Sequence, residues 1–340
     1  MPDVKRINIA LQGGGAHGAF TWGVLDRILE SDRVEIAAIS GTSAGALNGA
    51  ALKAGLARGG PDAARETLGW LWARILRVRD LKLATWLSPM APATGAISRA
   101  IEYSTLYTVG DILGQATSPY ALGPFYRNPL APIVSDMRFE DICSPAGPEL
   151  HVCATNVRTG KIRVFSGAEL SPSALLASSC LPSMFQAVEI DGEAYWDGGY
   201  TGNPALFPLY DPALPGDVVI VNINPLLRDD LPYTAQEIHN RINEISFNSS
   251  LLRDLRAIRF VQRLLEEGTM PEGAMKYVFV HMIADDELMR DLSVATKMIP
   301  SAVLADRLFR AGRLAAERFL DAHLEDLGHR STVDLAEMYD

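Results

Sequence analysis

Residues 5–45, KRINIALQGGGAHGAFTWGVLDRILESDRVEIAAISGTSAG, decide the fold class. Residues 5–11, carrying Ile7, Ile9 and Leu11, read as a buried strand. Gly13-Gly14-Gly15-Ala16-His17-Gly18 follows at once, and a helix is expected from about Ala19 to Ser31. Residues 34–40 (VEIAAIS) read as a second strand, ended by Gly41-Thr42-Ser43-Ala44-Gly45 and an alanine-rich helix to about Arg58. Strand, glycine turn and helix, twice over, predict a parallel sheet covered by helices.

Each glycine turn carries its own chemistry. Gly13, Gly15 and Gly18 satisfy G-x-G-x-x-G after a strand, which is also the dinucleotide fingerprint. That fingerprint needs an acid at the end of the next strand to hold a ribose. Here the strand ends in Ser40-Gly41-Thr42-Ser43, and the nearest acid, Glu35, sits at its start. No nicotinamide or flavin cofactor is therefore expected. The loop retains a set of backbone N–H groups aimed at an anion.

The second turn is G-x-S-x-G between a strand and a helix, the context of a nucleophile elbow with Ser43 at its apex. Gly41 and Gly45 remove the side chains that would collide there. A serine oxygen beside a glycine cradle meets two needs of acyl transfer, a nucleophile and an oxyanion hole. The base is open at this point. Of the histidines 17, 151, 239, 281, 323 and 329, none follows a strand as a triad histidine would, although His281 lies within one. The alternative is Asp197 in Trp196-Asp197-Gly198-Gly199. A free Asp, pKa about 3.9, is a weak base, and partial burial beside Ser43 would raise it.

GGGAHG, then GTSAG, then DGG, in this order, resembles the patatin-like phospholipases and lipid acyl hydrolases. The likeness extends to residues 177–185 (ASSCLPSMF) and to Asn203-Pro204, and covers about residues 5–210. It implies a three-layer α/β fold with a mostly parallel central sheet and helices on both faces. It implies Ser43 as nucleophile and Asp197 as sole base, with oxyanion N–H groups from Gly13, Gly14 and Gly15. Gly18, Gly41, Gly45, Gly198 and Gly199 are then the motif glycines. A phospholipid or other acyl-ester lipid would be the substrate, with no cofactor and no metal. One departure stands out: His17 occupies a position where many members carry Arg or Lys. A histidine is charged only below about pH 6.5 unless its surroundings shift it.

Outward from the motifs, strands are expected at 151–155, 162–165, 217–223 and 277–283, with a hairpin 187–190/194–196 turned by Asp191-Gly192. A long helix over 234–267 has apolar positions at 238, 242, 245, 252, 255 and 258, and a last helix spans about 302–327. Residues 5–213 form the hydrolase core, with a helical insertion at about 61–130, and 214–330 are expected to complete the same domain. Trp70, Trp72 and Trp86, with Arg74, Arg77, Arg79 and Lys82, would make the insertion an acyl-binding wall, lid and peripheral membrane contact.

Composition is consistent with this reading. The 340 residues are 48% hydrophobic and 21% charged, enough for a large core. The formal charge of −10 and the lack of a basic run exclude general nucleic-acid binding. Cys143, Cys153 and Cys180 read as buried reduced thiols. Asp285-Asp286-Glu287 reads as a solvated helix start rather than a cation site. No run approaches the length of a membrane span or a signal peptide, so a cytoplasmic protein is expected, in places peripheral to membrane. Two other functions fit the same residues: a carboxylesterase or polyester hydrolase of short acyl chains, and a non-catalytic lipid-binding regulator.

Overall fold

A computed structural model describes residues 4–77, 118–271 and 273–340. Its centre is one eight-stranded sheet, ordered β5-β6-β3-β2-β1-β7-β8 with β4 also paired to β3. The strands are β1 (Lys5–Leu11), β2 (Val34–Thr42), β3 (Glu149–Asn156), β4 (Ile162–Ser166), β5 (Val188–Ile190), β6 (Glu193–Asp197), β7 (Asp217–Val221) and β8 (Phe279–Ile283). β1, β2, β3, β7 and β8 run parallel, while β4 and β6 are antiparallel to β3.

Period-two alternation divides the strand side chains between two apolar layers. Ile7, Ile9 and Leu11 of β1, with Val219 and Val221 of β7, face α1 (Gly18–Ile28), α2 (Ala44–Arg77) and α6 (Ala302–His323). The short α3 (Pro172–Ser178) joins that layer through Leu175. Ala10, Val218, Ile220 and Val280 face the other way, onto Leu251, Leu255 and Ile258 of α4 (Ala235–Glu266). The result is the expected three-layer arrangement, with the mostly parallel sheet inside.

Several details differ from the sequence reading. The apolar seam of α4 is buried only in its second half; Ile238, Ile242 and Ile245 are exposed, because the sheet covers α4 only from about Phe247 onward. Cys143 is exposed, whereas Cys153 and Cys180 are buried, and all three are free thiols. Asp285 caps the short helix Asp286–Arg290 by accepting from Leu288 N–H, and of the three acids only Glu287 is exposed. The last helix ends at His323 and tightens into a 3-10 turn over Leu324–Asp326. No helix among the described residues is long and apolar enough to cross a membrane.

The expected insertion does not begin at residue 61. The second helix breaks at Gly59 and Gly60, and Pro61 restarts it as far as Arg77. Ala64, Leu68, Leu71 and Trp72, at helical spacing, turn that stretch into the core. Trp72 is 1% exposed, donates its Nε1–H to Asn48 Oδ1 at 2.9 Å and stacks at 6.1 Å on Trp22. Trp70 is half-buried under the Arg74 guanidinium. The Trp72 ring therefore belongs to the core. Trp86, and the lid reading that rests on residues 78–117, lie outside the described residues.

Trp72→Ala should therefore act on stability rather than on substrate choice. Removing the ring leaves a cavity and an unpaired buried amide oxygen, a loss of about 3–5 kcal/mol. Urea melts should show it. Unchanged stability with selective loss of activity on long-chain lipid would restore the lid role.

Candidate active site

The parallel register gathers the motif residues at one edge of the sheet. Leu11 pairs with Gly41 on one side and Val221 on the other, so the glycine loop, the elbow and residues 222–224 all leave the sheet together. Thr42 pairs with Cys153, and the next residue of β3, Ala154, pairs with Asp197. Two strand ends far apart in sequence thus bring Ser43 and Asp197 to neighbouring points.

Ser43 is the single residue between β2 and α2 and has φ +55°, left-handed backbone that β-carbon sterics disfavour. Its strain is held from three sides. The Ser43 carbonyl accepts the first α2 bond from Leu47 N–H at 3.1 Å, and its N–H donates to Ser178 Oγ at 2.9 Å. On the third side α2 starts directly against the Leu11 carbonyl, where a Cβ on Gly45 would overlap that oxygen. The glycine loop lies on the nucleophile itself: a Cβ on Gly13 would stand 2.8 Å from Ser43 Cβ.

Asp197 ends β6 and is fully buried. Its backbone is fixed by N–H donation to Cys180 O and by Thr155 Oγ1 donating to its carbonyl, both at 2.8 Å. Carboxylate Oδ1 accepts Gly199 N–H at 2.8 Å. Burial pushes the carboxyl up to about 7, against the opposing pull of the Gly199 N–H and the Ser43 hydroxyl. Oδ2 has no hydrogen-bond partner, so the hydroxyl acts on Asp197 from nearby without a well-formed bond. That looseness is ordinary for an unliganded site. A carboxyl near 7 is poised to take a hydroxyl proton at neutral pH.

Within the glycine loop the N–H groups are not equivalent. Gly13 N–H donates to Asn203 Oδ1 at 2.6 Å, while among the described residues Gly14 and Gly15 N–H donate to nothing. Gln12 anchors the loop from below, its Oε1 accepting from Ile223 N–H at 2.8 Å and Asn224 N–H at 3.1 Å. Gly198 packs on the Cys153 carbonyl, and Gly199 on the Phe247 ring. Gly41 faces Gly45 across the elbow, and Gly18 faces Ala44.

Among the described residues no histidine is hydrogen-bonded to Ser43 or Asp197. His281 is hydrogen-bonded to Asp217 at 3.0 Å, at the opposite end of β7 from the glycine loop. His151, His239 and His323 contact Glu149, Asn243 and Asp326 respectively. Among the described residues no group of three or more His, Cys, Asp or Glu could hold a metal ion. A shallow cavity of about 340 Å³ opens beside the Asp197 turn, lined by Thr155, Pro182, Trp196, Tyr200 and Thr201.

The sequence reading passed over Ser178, Gln12, Asn224 and Lys297. Ser178 stood in the quoted 177–185 segment, and Gln12 was a polar residue directly after a buried run. Asn224 and Lys297 carried no local signal, since Asn224 bonds to a loop over 200 residues away and Lys297 bonds to Asn224 from 73 residues beyond it.

Residues 9–210 match the family model of the patatin-like phospholipases. The chain belongs to this family, and membership supports a lipid hydrolase. No curated protein matches it in sequence. Among solved structures it is similar to VipD from Legionella pneumophila at 12% identity and a TM-score of 0.44, covering 94% of this chain and 67% of that one. It is also similar to the type III effector ExoU, at 16% identity and a TM-score of 0.35, covering 96% and 54%. ExoU in its complex with SpcU, from Pseudomonas aeruginosa, aligns at 14% identity and a TM-score of 0.36, covering 95% and 53%. The chain thus spans about half the length of ExoU.

Proposed function

We propose that the protein hydrolyses fatty acyl ester bonds of lipids through a Ser43–Asp197 dyad. The observation that carries this reading is a strained, glycine-packed serine beside a fully buried carboxyl, which burial pushes up to about 7. Ser43 Oγ attacks the ester carbonyl and passes its proton to Asp197. Gly14 and Gly15 N–H groups receive the oxyanion, with Gly13 holding the loop against Ser43 through Asn203. Collapse of the tetrahedral intermediate breaks the ester C–O bond, and the departing alcohol or lysolipid takes the proton from Asp197. Asp197 then deprotonates water, which attacks the acyl-enzyme and releases the fatty acid while the proton returns to Ser43. The adjacent Cys180 thiol, pushed up to about 12 by burial and by Asp197, stays protonated and does not compete.

A fluorophosphonate titration tests this directly. The probe should label Ser43, and the labelling rate should climb about tenfold per pH unit up to about 7 and level off above it, because only the ionised carboxylate accepts the proton. Mass spectrometry of the peptide gives the site. A probe that leaves Ser43 unmodified at pH 8 would favour the non-catalytic lipid-binding reading.

A further inference from the structure

The family match ends at residue 210, yet a cation reaches the glycine loop from beyond it. Helix α5 (Val294–Met298) packs on the 3-10 turn Gly15–His17 so closely that a Cβ on Gly15 would overlap the Lys297 carbonyl oxygen. His17 does not supply positive charge here. It is 1% exposed, its Nε2 lies 2.7 Å from Thr296 Oγ1, and the Thr296 hydroxyl itself donates to Ser293 O at 2.7 Å. Nε2 must therefore carry the hydrogen and donate, leaving Nδ1 as a lone pair without a partner. Burial first, then the nearby Lys297 ammonium, hold the ring well below its usual pKa.

Lys297 stands where that missing charge is wanted. Its Nζ donates to Asn224 Oδ1 at 2.6 Å, and Asn224 Nδ2 donates to the Gly13 carbonyl at 3.0 Å. The ammonium is thus one side chain away from the backbone of the oxyanion loop. It also lies 5.8 Å from the centre of the Phe247 ring, which packs on Gly199 beside Asp197. Its hydrogen-bond acceptor is a neutral amide, so no carboxylate is bonded to it directly. The carboxylate facing it, Glu244 of α4, is already held by Arg228 at 2.5 and 2.9 Å and by Arg241 at 3.2 Å. Three cations, Lys297, Arg228 and Arg241, gather around Glu244 with Asp291 near Arg228, a local positive excess in a chain whose formal charge is −10. An anion is the ligand such a place takes.

We propose that Lys297 is the specificity-determining residue for phosphate-bearing substrates, its ammonium binding the lipid phosphodiester while Ser43 attacks the acyl carbonyl. The inference rests on the acyl-hydrolase reading above. Free phosphate offers the same chemistry as a phospholipid headgroup, and the test separates the two.

The full-length protein, with Lys297→Met, Lys297→Gln and Lys297→Arg, is assayed on phosphatidylcholine and on diacylglycerol of identical acyl chains in the same detergent micelles. The ratio of the two kcat/KM values should fall about 10- to 100-fold in the Met and Gln variants, as loss of a charge-assisted contact requires. Lys297→Gln keeps a donor for Asn224, so it guards against a folding defect, and Lys297→Arg should retain most of the ratio. In the wild type the ratio should also fall as pH rises through about 8, to which burial lowers Lys297. The groups facing the ammonium are His17 of the 3-10 turn, Glu244 of α4 and Arg228 after β7. Asp197 acts equally on both lipids and cancels in the ratio. Inorganic phosphate that inhibits wild type but not Lys297→Met identifies the phosphate group itself as the ligand. A lost phospholipid preference without such inhibition assigns the site to the lipid headgroup.

Equal losses on the two lipids in folded variants, or an unchanged ratio, would overturn the proposal. Fluorophosphonate labelling of Ser43 in each variant keeps the two readings apart: unlabelled wild type defeats the hydrolase assignment, whereas labelled variants with an unchanged ratio defeat only the role of Lys297.

Discussion

Alanine in place of Ser43 should lower ester turnover by roughly 10⁴-fold or more, since it removes the nucleophile of the proposed dyad. Asp197→Asn should do nearly the same by removing the only base, and the two losses should not add in the double variant. The fold should survive both changes. Alanine is tolerated at position 43 about as well as serine, because the hydroxyl makes no structural hydrogen bond; the backbone N–H and carbonyl do that work. Asparagine keeps the shape of Asp197, and its amide oxygen still accepts Gly199 N–H. Circular dichroism and urea melts close to wild type should accompany the kinetic loss. Near-normal turnover in either folded variant would move the chemistry to other residues.

Gly45→Ala should be as damaging to activity, for a different reason. The added methyl would occupy the space of the Leu11 carbonyl oxygen, a backbone atom at the end of the central strand β1, paired on both sides, that cannot swing aside. Either α2 lifts off β1 and drags the Ser43 turn with it, or the protein loses stability by several kcal/mol. A temperature scan combined with fluorophosphonate labelling separates these outcomes. Serine that is still labelled at the wild-type rate, in a protein with unchanged Tm, would show that the junction has more room than its packing implies. Gly69 is the contrast, since no atom lies within 4 Å of a Cβ built there, and Gly69→Ala should be neutral or slightly stabilising.

Much of this was legible in the chain. The two strand–glycine–helix junctions between residues 5 and 45 dictate a parallel βαβ start, because chain direction and glycine placement are local properties. The elbow serine follows from its five-residue context, and its positive φ follows from the same short turn. The tryptophans show the opposite limit. Trp70 and Trp72 beside basic residues read as a lipid boundary, yet Gly59-Gly60-Pro61 restarts the helix and rotates Trp72 into the core. A helical apolar stripe has the same spacing whether it meets protein or lipid. The α4 stripe errs in the other direction, with its first half exposed although its apolar positions recur from Ile238 to Ile258.

Sequence by itself determined the order of elements, the tight serine turn at residue 43 and the glycine loop beside it, since each rests on backbone sterics within a few residues. Tertiary structure alone decided the working state of the site. Asp197 has a carboxyl pushed up to about 7 only because it is buried among strands that meet through β3, a desolvation no local pattern encodes. Gly13 gives its N–H to Asn203 only because residues 190 positions apart are brought together. Positive charge beside the loop passes from His17 to Lys297 for the same reason. Burial silences the first, and a helix nearly 300 residues downstream delivers the second, so the electrostatics of the site depend on long-range contacts and not on the motif that contains it.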